Sequence, residues 1–238
     1  SGGAPTWLTG TYDPDLGLVY WGTGNGGPWN PATRGGDSLY IGSVLALKPS
    51  TGEIVWHYQF SPGDPYDYDG VNELVLADLP IDGKPTKVLM QANRNGFFYV
   101  IDRTSGKLIS GTQFARKVNW ASGIDKASGR PIDTPMTAMV KKTEEMKDFI
   151  EVWPSAFGGK NWMPMSYDPG RKLVFLNSID LGMKVKYVKQ DRPGGPNWYL
   201  GLELGGFVDP ADGNRGALVA WDPVAAKPVW TVRNKSPF

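Results

Sequence analysis

A strand–turn–strand unit recurs along this chain, and that recurrence restricts the fold more than any single residue does. Ala46-Leu-Lys-Pro-Ser-Thr-Gly52-Glu-Ile-Val-Trp56 returns about 54 residues later as Val100-Ile-Asp-Arg-Thr-Ser-Gly106-Lys-Leu-Ile-Ser110. A third copy, Ala220-Trp-Asp-Pro-Val-Ala-Ala226-Lys-Pro-Val-Trp230, lies about 120 residues further on, with Ala226 at the glycine position. A second unit interleaves with the first: Tyr12-Asp-Pro-Asp-Leu-Gly-Leu-Val-Tyr20 matches Tyr167-Asp-Pro-Gly-Arg-Lys-Leu-Val-Phe175, about 155 residues away. Several short strands per unit, joined by Asp-Pro or Thr-Gly turns every 50–60 residues or so, are the signature of four-stranded propeller blades. We therefore expect an all-β chain, a β-propeller of about four blades, with the offsets of about 120 and 155 read as two and three repeats. The chain starts in a Gly-rich stretch and stops at Phe238 just after a strand-turn-strand unit. A partial propeller domain over 1–238, truncated at both ends, is the expectation, since an open ring exposes strand edges.

The 31 Gly, 20 Pro and 10 Trp support this reading, because so many turn formers oppose a helical protein. Gly96-Phe-Phe-Tyr-Val-Ile101 and Leu39-Tyr-Ile-Gly-Ser-Val-Leu45 are aromatic and β-branched, as strands are. Only Thr143–Phe149 has a helical look, and Asp125–Pro135 reads as a long loop. Trp56 and Trp230 close their units and are expected to pack one blade on the next; Asp13, Asp168 and Asp222, each before Pro, are expected to form turns.

Composition also excludes chemistry. A formal charge of +1 offers no basic footprint for nucleic acid, and no apolar run is long enough to span a bilayer. With no cysteine, thiol catalysis, Cys-ligated zinc, iron–sulfur clusters and covalent c-type haem cannot be built from this chain. The single histidine, His57, lies in an apparent strand and reads as structural. Gly22-Thr-Gly24-Asn-Gly-Gly27 satisfies G-x-G-x-x-G, but Pro28-Trp29-Asn30-Pro31 follows where a dinucleotide site needs a helix.

A set of motifs in order then becomes informative: Gly2-Gly-Ala-Pro-Thr-Trp7, Val19-Tyr-Trp-Gly-Thr-Gly-Asn25-Gly-Gly-Pro-Trp-Asn30, Trp56-His-Tyr-Gln, Pro65-Tyr-Asp67-Tyr-Asp69-Gly, Asn93-Arg94-Asn-Gly-Phe-Phe-Tyr99 and Phe157-Gly-Gly-Lys-Asn161-Trp-Met-Pro. Together they resemble the pyrroloquinoline quinone (PQQ)-dependent alcohol and methanol dehydrogenases, with weaker likeness at about 130–150 and 180–215. The resemblance implies an eight-bladed quinoprotein dehydrogenase propeller of which this chain covers the middle blades. It implies a primary alcohol oxidised to the aldehyde, with PQQ and a lanthanide(III) or Ca2+ ion as cofactors. It further implies a small alcohol substrate, a cytochrome c-type electron acceptor, a homodimer in the full-length protein, and a bacterial periplasmic location with the signal peptide outside this chain.

Residue by residue, the resemblance makes Trp7 the stacking floor of the quinone, Asn25 a metal-binding amide, and Asp67 the catalytic base and a metal ligand. It makes Asp69 a second metal carboxylate of the kind seen in lanthanide-using forms, Arg94 the cation facing the quinone oxygens, and Asn161 a cofactor-contacting amide. Each role has a physical basis. An indole face suits a flat ring; an amide oxygen serves a hard cation without adding charge; a fixed guanidinium stabilises developing negative charge. In an extended segment, residues i and i+2 point the same way, so Asp67 and Asp69 are expected to face one ion. Lys160 stands where many relatives have His, and Pro5 where some have a quinone-contacting threonine. A metal-binding glutamate and an adjacent-cysteine disulfide of the family are expected upstream of Ser1. Two other readings use the same repeats: a non-enzymatic propeller serving as an envelope assembly or binding scaffold, and a glycan-binding or sugar-oxidising propeller. The joint occurrence of Trp7, Asn25, Asp67, Asp69 and Arg94 separates the enzyme from the scaffold, which has no physical use for that set.

Overall fold

A computed structural model of the chain describes residues 2–190 and 199–238. Residues 191–198, inside the stretch of weaker likeness, and Ser1 lie outside the described residues. Three four-stranded antiparallel sheets form the body. The first blade runs Thr11–Asp13, Leu18–Gly22, Ser43–Leu47, Ile54–Gln59, with each strand paired to the next. The second runs Val75–Ile81, Lys84–Ala92, Phe97–Asp102, Leu108–Gln113. The third runs Ser166–Asp168, Leu173–Ile179, Gly216–Asp222, Lys227–Asn234.

The propeller expectation holds; among the described residues three four-stranded blades are complete, where about four were expected. The offset of about 155 residues spans two blade steps rather than three, because the third blade comes late and is interrupted. Before it come the hairpin Ala121–Ile124/Pro131–Asp133 and a short helix at Pro135–Val140. Ile150–Val152 also precedes it, and between its second and third strands the chain leaves to add Gly182–Tyr187 and Leu202–Val208, which complete a three-stranded sheet with Ile150–Val152. Two local expectations change accordingly. The helix is Pro135–Val140, started by Pro135 after the Thr134 cap, while residues 143–149 form bends; and the expected loop at 125–135 contains a strand.

The second blade is covered on both faces, which explains its continuous apolar run. Phe97, Tyr99 and Ile101 join Tyr20, Val44 and Tyr58 in one buried cluster. Phe98 and Val100 point the other way and join Val174, Leu176, Val219 and Trp221 in another. Alternate side chains of one strand thus serve two blade interfaces. Trp56 packs from the first blade onto the second: its ring fills the space that a Cβ on Gly106 would need, 2.7 Å away, and its Nε1 donates to the Arg103 carbonyl at 3.3 Å. Gly106, in the left-handed region at φ +74°, is therefore required twice over, for its turn and for the indole. Trp230 differs, lying 5.9 Å from Phe175 within its own blade and 41% exposed.

Asp13, Asp168 and Asp222 each accept backbone N–H groups two and three residues ahead, as turn formers do. Asp13 does more. Its Oδ2 takes a 2.7 Å hydrogen bond from Arg103 Nε across the blade interface, both side chains being buried. Burial pushes the Asp13 carboxyl up, but Arg103 and the N–H groups of Asp15 and Leu16 outweigh it and hold it below its ordinary value of 3.8. A depressed folded value means the stabilisation is full above that ordinary value and fades as pH falls through the folded one. Asp13→Asn removes the one buried carboxylate that Arg103 meets, its other partners Asp78 and Asp15 being exposed, and is expected to cost about 3 kcal/mol in urea unfolding at neutral pH. The gap between wild type and variant should narrow in acid; a gap independent of pH would contradict the assignment.

Candidate functional site

Strand direction decides where the six candidate residues meet. In a four-stranded antiparallel sheet, the first and third turns lie at one end, while the second loop and the link to the next blade lie at the other. The Asp13, Gly52, Gly106, Asp168 and Asp222 turns are all first or third turns. Asn25 sits in the second loop of the first blade and Arg94 in the second loop of the second blade. Trp7 lies on the way into the first blade, Asp67 and Asp69 link the first to the second, and Asn161 lies on the way into the third. All six therefore share one end of the blades.

The segment carrying the two aspartates is pinned from several sides. Asp64 accepts the N–H groups of Tyr66 at 3.0 Å and Tyr68 at 2.8 Å. Tyr187, from the three-stranded sheet, donates to the Pro65 carbonyl, and Tyr68 donates to that of Pro154, each at 2.6 Å. Gly70 N–H bonds Thr23 O, and Gln91 Nε2 donates to the Gly70 and Asn72 carbonyls. The inserted sheet and helix thus do structural service here: Tyr66 also meets Thr137 at 3.0 Å.

Both aspartates converge, though not by strand alternation. Asp67 lies at φ +68°, and Asp69 N–H bonds back to Asp67 O at 3.1 Å, so a tight turn replaces the expected extended geometry. Arg94 stands between them. Its Nη1 lies 3.3 Å from Asp67 Oδ2 and its Nη2 3.1 Å from Asp69 Oδ2. The same guanidinium donates to the Asp67 and Ala156 carbonyls and to Asn161 Oδ1 at 3.3 Å, and its Cζ sits 5.7 Å from the centroid of the Trp7 ring. Asp69 Oδ1 accepts Asn25 N–H at 2.6 Å, and the Trp7 side chain also donates to Asp69. Every one of the six therefore touches another member of the set.

Burial pushes Asp67 up to about 8, the neighbouring Asp69 charge adds to this, and Arg94 opposes it. Asp69 is raised as well, burial again dominating over Arg94, the Asn25 N–H and Trp7. Two largely buried carboxylates with one guanidinium between them are short of positive charge. Such an oxygen-donor set fits a hard cation. Among the described residues no group of three or more His, Cys, Asp or Glu is placed to hold a metal. Trp7 is 46% exposed, with the Arg94 guanidinium 5.7 Å from its ring centroid; an open indole face of this kind suits a flat ring.

Reading the sequence did not find Arg34, which has no motif to announce it. Its guanidinium donates to Pro28 O at 2.7 Å, Asp64 O at 2.5 Å and Ser38 Oγ at 2.9 Å, tying the loop of Asn25 to the segment of Asp67. It lies so close under Gly26 that a Cβ there would sit 2.5 Å from Arg34 Nη1. His57, as expected, is remote from this chemistry: it is exposed on its strand, edge-on to Tyr40 at 4.9 Å. The G-x-G-x-x-G stretch opens no α-helix; Gly26–Gly27 pairs with Gly2–Gly3 and a 3-10 turn, Pro31–Thr33, follows.

A family profile described as glucose/ethanol/alcohol dehydrogenase, β-propeller domain, matches residues 1–121. The quinohemoprotein alcohol dehydrogenase ADH IIB of Pseudomonas putida is 45% identical over 235 residues, covering 97% of this chain and 33% of the relative. A solved europium-containing methanol dehydrogenase superposes with a TM-score of 0.90 at 36% identity, covering 99% of this chain and 40% of that one. The quinohemoprotein alcohol dehydrogenase structure from Comamonas testosteroni gives a TM-score of 0.87 at 40% identity, covering 99% and 36%. The chain spans about a third of the length of the curated relatives it matches.

Gly158, at φ +80°, backs Arg94 so closely that a Cβ would lie 2.7 Å from Arg94 Cα and Cβ. Gly158→Ala is expected to cost about 2–4 kcal/mol in chemical denaturation, combining left-handed strain with overpacking. An unchanged midpoint would show that the loop does not brace the arginine.

Proposed function

The chain belongs to the glucose/ethanol/alcohol dehydrogenase β-propeller family, whose members here are PQQ-dependent alcohol dehydrogenases. From that premise we propose that it is the middle portion of a longer enzyme oxidising a primary alcohol to the aldehyde, with Asp67 as the base. The observation that carries this is one guanidinium, Arg94, in contact with Trp7, Asp67, Asp69 and Asn161 at once.

Trp7, Arg94 and Asn161 would hold the quinone, and Asn25, Asp67 and Asp69 would hold the cation. Bound together, these cofactors supply a polarised carbonyl that accepts hydride. The protein's own part is positional and electrostatic. Asp67 Oδ2, at the partly exposed edge of the cluster, takes the alcohol hydroxyl proton once a cation and Arg94 favour its ionised form. Arg94 presents fixed positive charge where negative charge develops on the ring oxygens. The packing of Tyr66, Tyr68 and Tyr187 beneath the Pro65–Gly70 segment keeps the base from drifting. A second carboxylate at Asp69 favours a trivalent over a divalent ion electrostatically, so a lanthanide is the proposed metal rather than calcium. Relatives named quinohemoproteins support a haem protein as electron acceptor. A periplasmic setting follows the same reading. A scaffold gains nothing from two buried, charge-deficient carboxylates, which cost free energy unless a ligand uses them.

In the full-length protein loaded with PQQ and metal, Asp67→Asn is expected to lower dye-linked ethanol oxidation by about two to four orders of magnitude. Full turnover in that variant would rule out the base. Asp69→Ala should depress lanthanum-supported activity more than calcium-supported activity; undiminished lanthanum activity would refute the metal proposal.

A further inference from the structure

Beside the carboxylate cluster lies one ammonium group that the proposed chemistry does not use. The Lys160 side chain is fully buried between glycines and Asn161, with Nζ 2.7 Å from Glu73 Oε1 and 2.9 Å from Oε2, and it donates to the Asn161 carbonyl at 3.1 Å. Burial lowers the Lys160 value and Glu73 opposes the shift. Taking an ammonium wholly out of water costs several kcal/mol, and an apolar side chain would fill the volume without that cost. Stability alone is therefore a poor reason for a lysine here. Geometry is a better one.

Glu73 follows the segment of Asp67 and Asp69 and leads into the second blade. Its carboxylate accepts Lys160 Nζ and also Met165 N–H at 2.6 Å, so it grips both ends of residues 160–165. Within that grip sits Asn161. Its Nδ2 donates to Phe157 O at 2.9 Å, while its Oδ1 accepts Trp162 N–H at 2.8 Å and Arg94 Nη2 at 3.3 Å. The amide is thereby oriented with its oxygen toward the guanidinium. Gly159 N–H bonds the Arg94 carbonyl at 2.8 Å, so the same loop holds the arginine's backbone as well.

We infer that the Glu73–Lys160 ion pair is a positioning clamp: it fixes Asn161, and through it Arg94, for contact with the quinone. The pair touches no reacting atom and acts through these two residues. The inference rests on the proposed role of Asn161 and Arg94 as quinone contacts.

The test uses the full-length protein, with PQQ binding followed by quenching of tryptophan fluorescence and thermal unfolding measured without PQQ. Lys160→Met is expected to raise the Kd for PQQ about tenfold. Lys160→Met/Glu73→Gln removes both charges yet leaves an oxygen for Met165 N–H. It should recover the unfolding temperature while binding stays weak. A purely structural ion pair predicts that stability and affinity recover together. That outcome, or wild-type affinity in Lys160→Met, overturns the clamp. Should Lys160→Met fail to fold, the double variant alone decides. Asn161→Ala and Arg94→Ala separate the two levels: if they weaken binding and Lys160→Met does not, the clamp fails and the site reading stands. If neither weakens binding, the site reading itself fails.

Discussion

Antiparallel strand order is the constraint from which the rest of this structure follows. Each blade leaves its tight Asp- and Gly-built turns at one end and its longer second loop and exit at the other. Because three blades stack through two shared apolar interfaces, their second loops and exits are gathered into one region. Residues from Trp7 to Asn161 can then touch without any strand having to bend toward them. The shared apolar interfaces carry the stability of the blades, and the end opposite the tight turns is left to carry polar groups that stability alone does not favour.

At that end the balance of charge is the governing quantity. Two carboxylates and one guanidinium lie largely out of water, and burial, more than mutual repulsion, moves the acidic groups upward. An arrangement of that kind is sustained by dense backbone support. Arg34 ties the loop of Asn25 to the Asp67 segment, the tyrosines pin the Pro65–Gly70 segment, and Glu73 with Lys160 braces the loop of Asn161. The excursion before and within the third blade, which looks dispensable to a propeller, supplies Tyr187 and Thr137 to this support.

The fold was legible in the sequence to the extent that it is local and repeated. Thr-Gly and Asp-Pro turns read correctly because a left-handed glycine or an aspartate accepting the next N–H groups needs no distant partner. Counting blades from offsets overshot, since spacing alone cannot tell two short blades from one interrupted blade. The helix fell at Pro135–Val140 rather than in the charged stretch beyond it, because a capping Thr and a first-turn Pro outweigh charge composition in a single turn. Trp230 repeats Trp56 in sequence but not in surroundings: a packing peg needs a partner glycine, and Gly106 is that partner for Trp56 alone among the described residues.

By itself the sequence determined the strand units, their turns, the absence of cysteine chemistry, and a set of residue types suited to a flat cofactor and a hard cation. Their separation along the chain carries no distances, so only the tertiary structure decided that Arg94 bridges Asp67 and Asp69 and that the two aspartates meet through a turn at positive φ. It alone decided, too, that Arg34 and Glu73 belong to the site's support. Hydrogen bonds between residues tens of positions apart depend on how blades stack, and stacking is a property of buried surfaces, which no local pattern encodes.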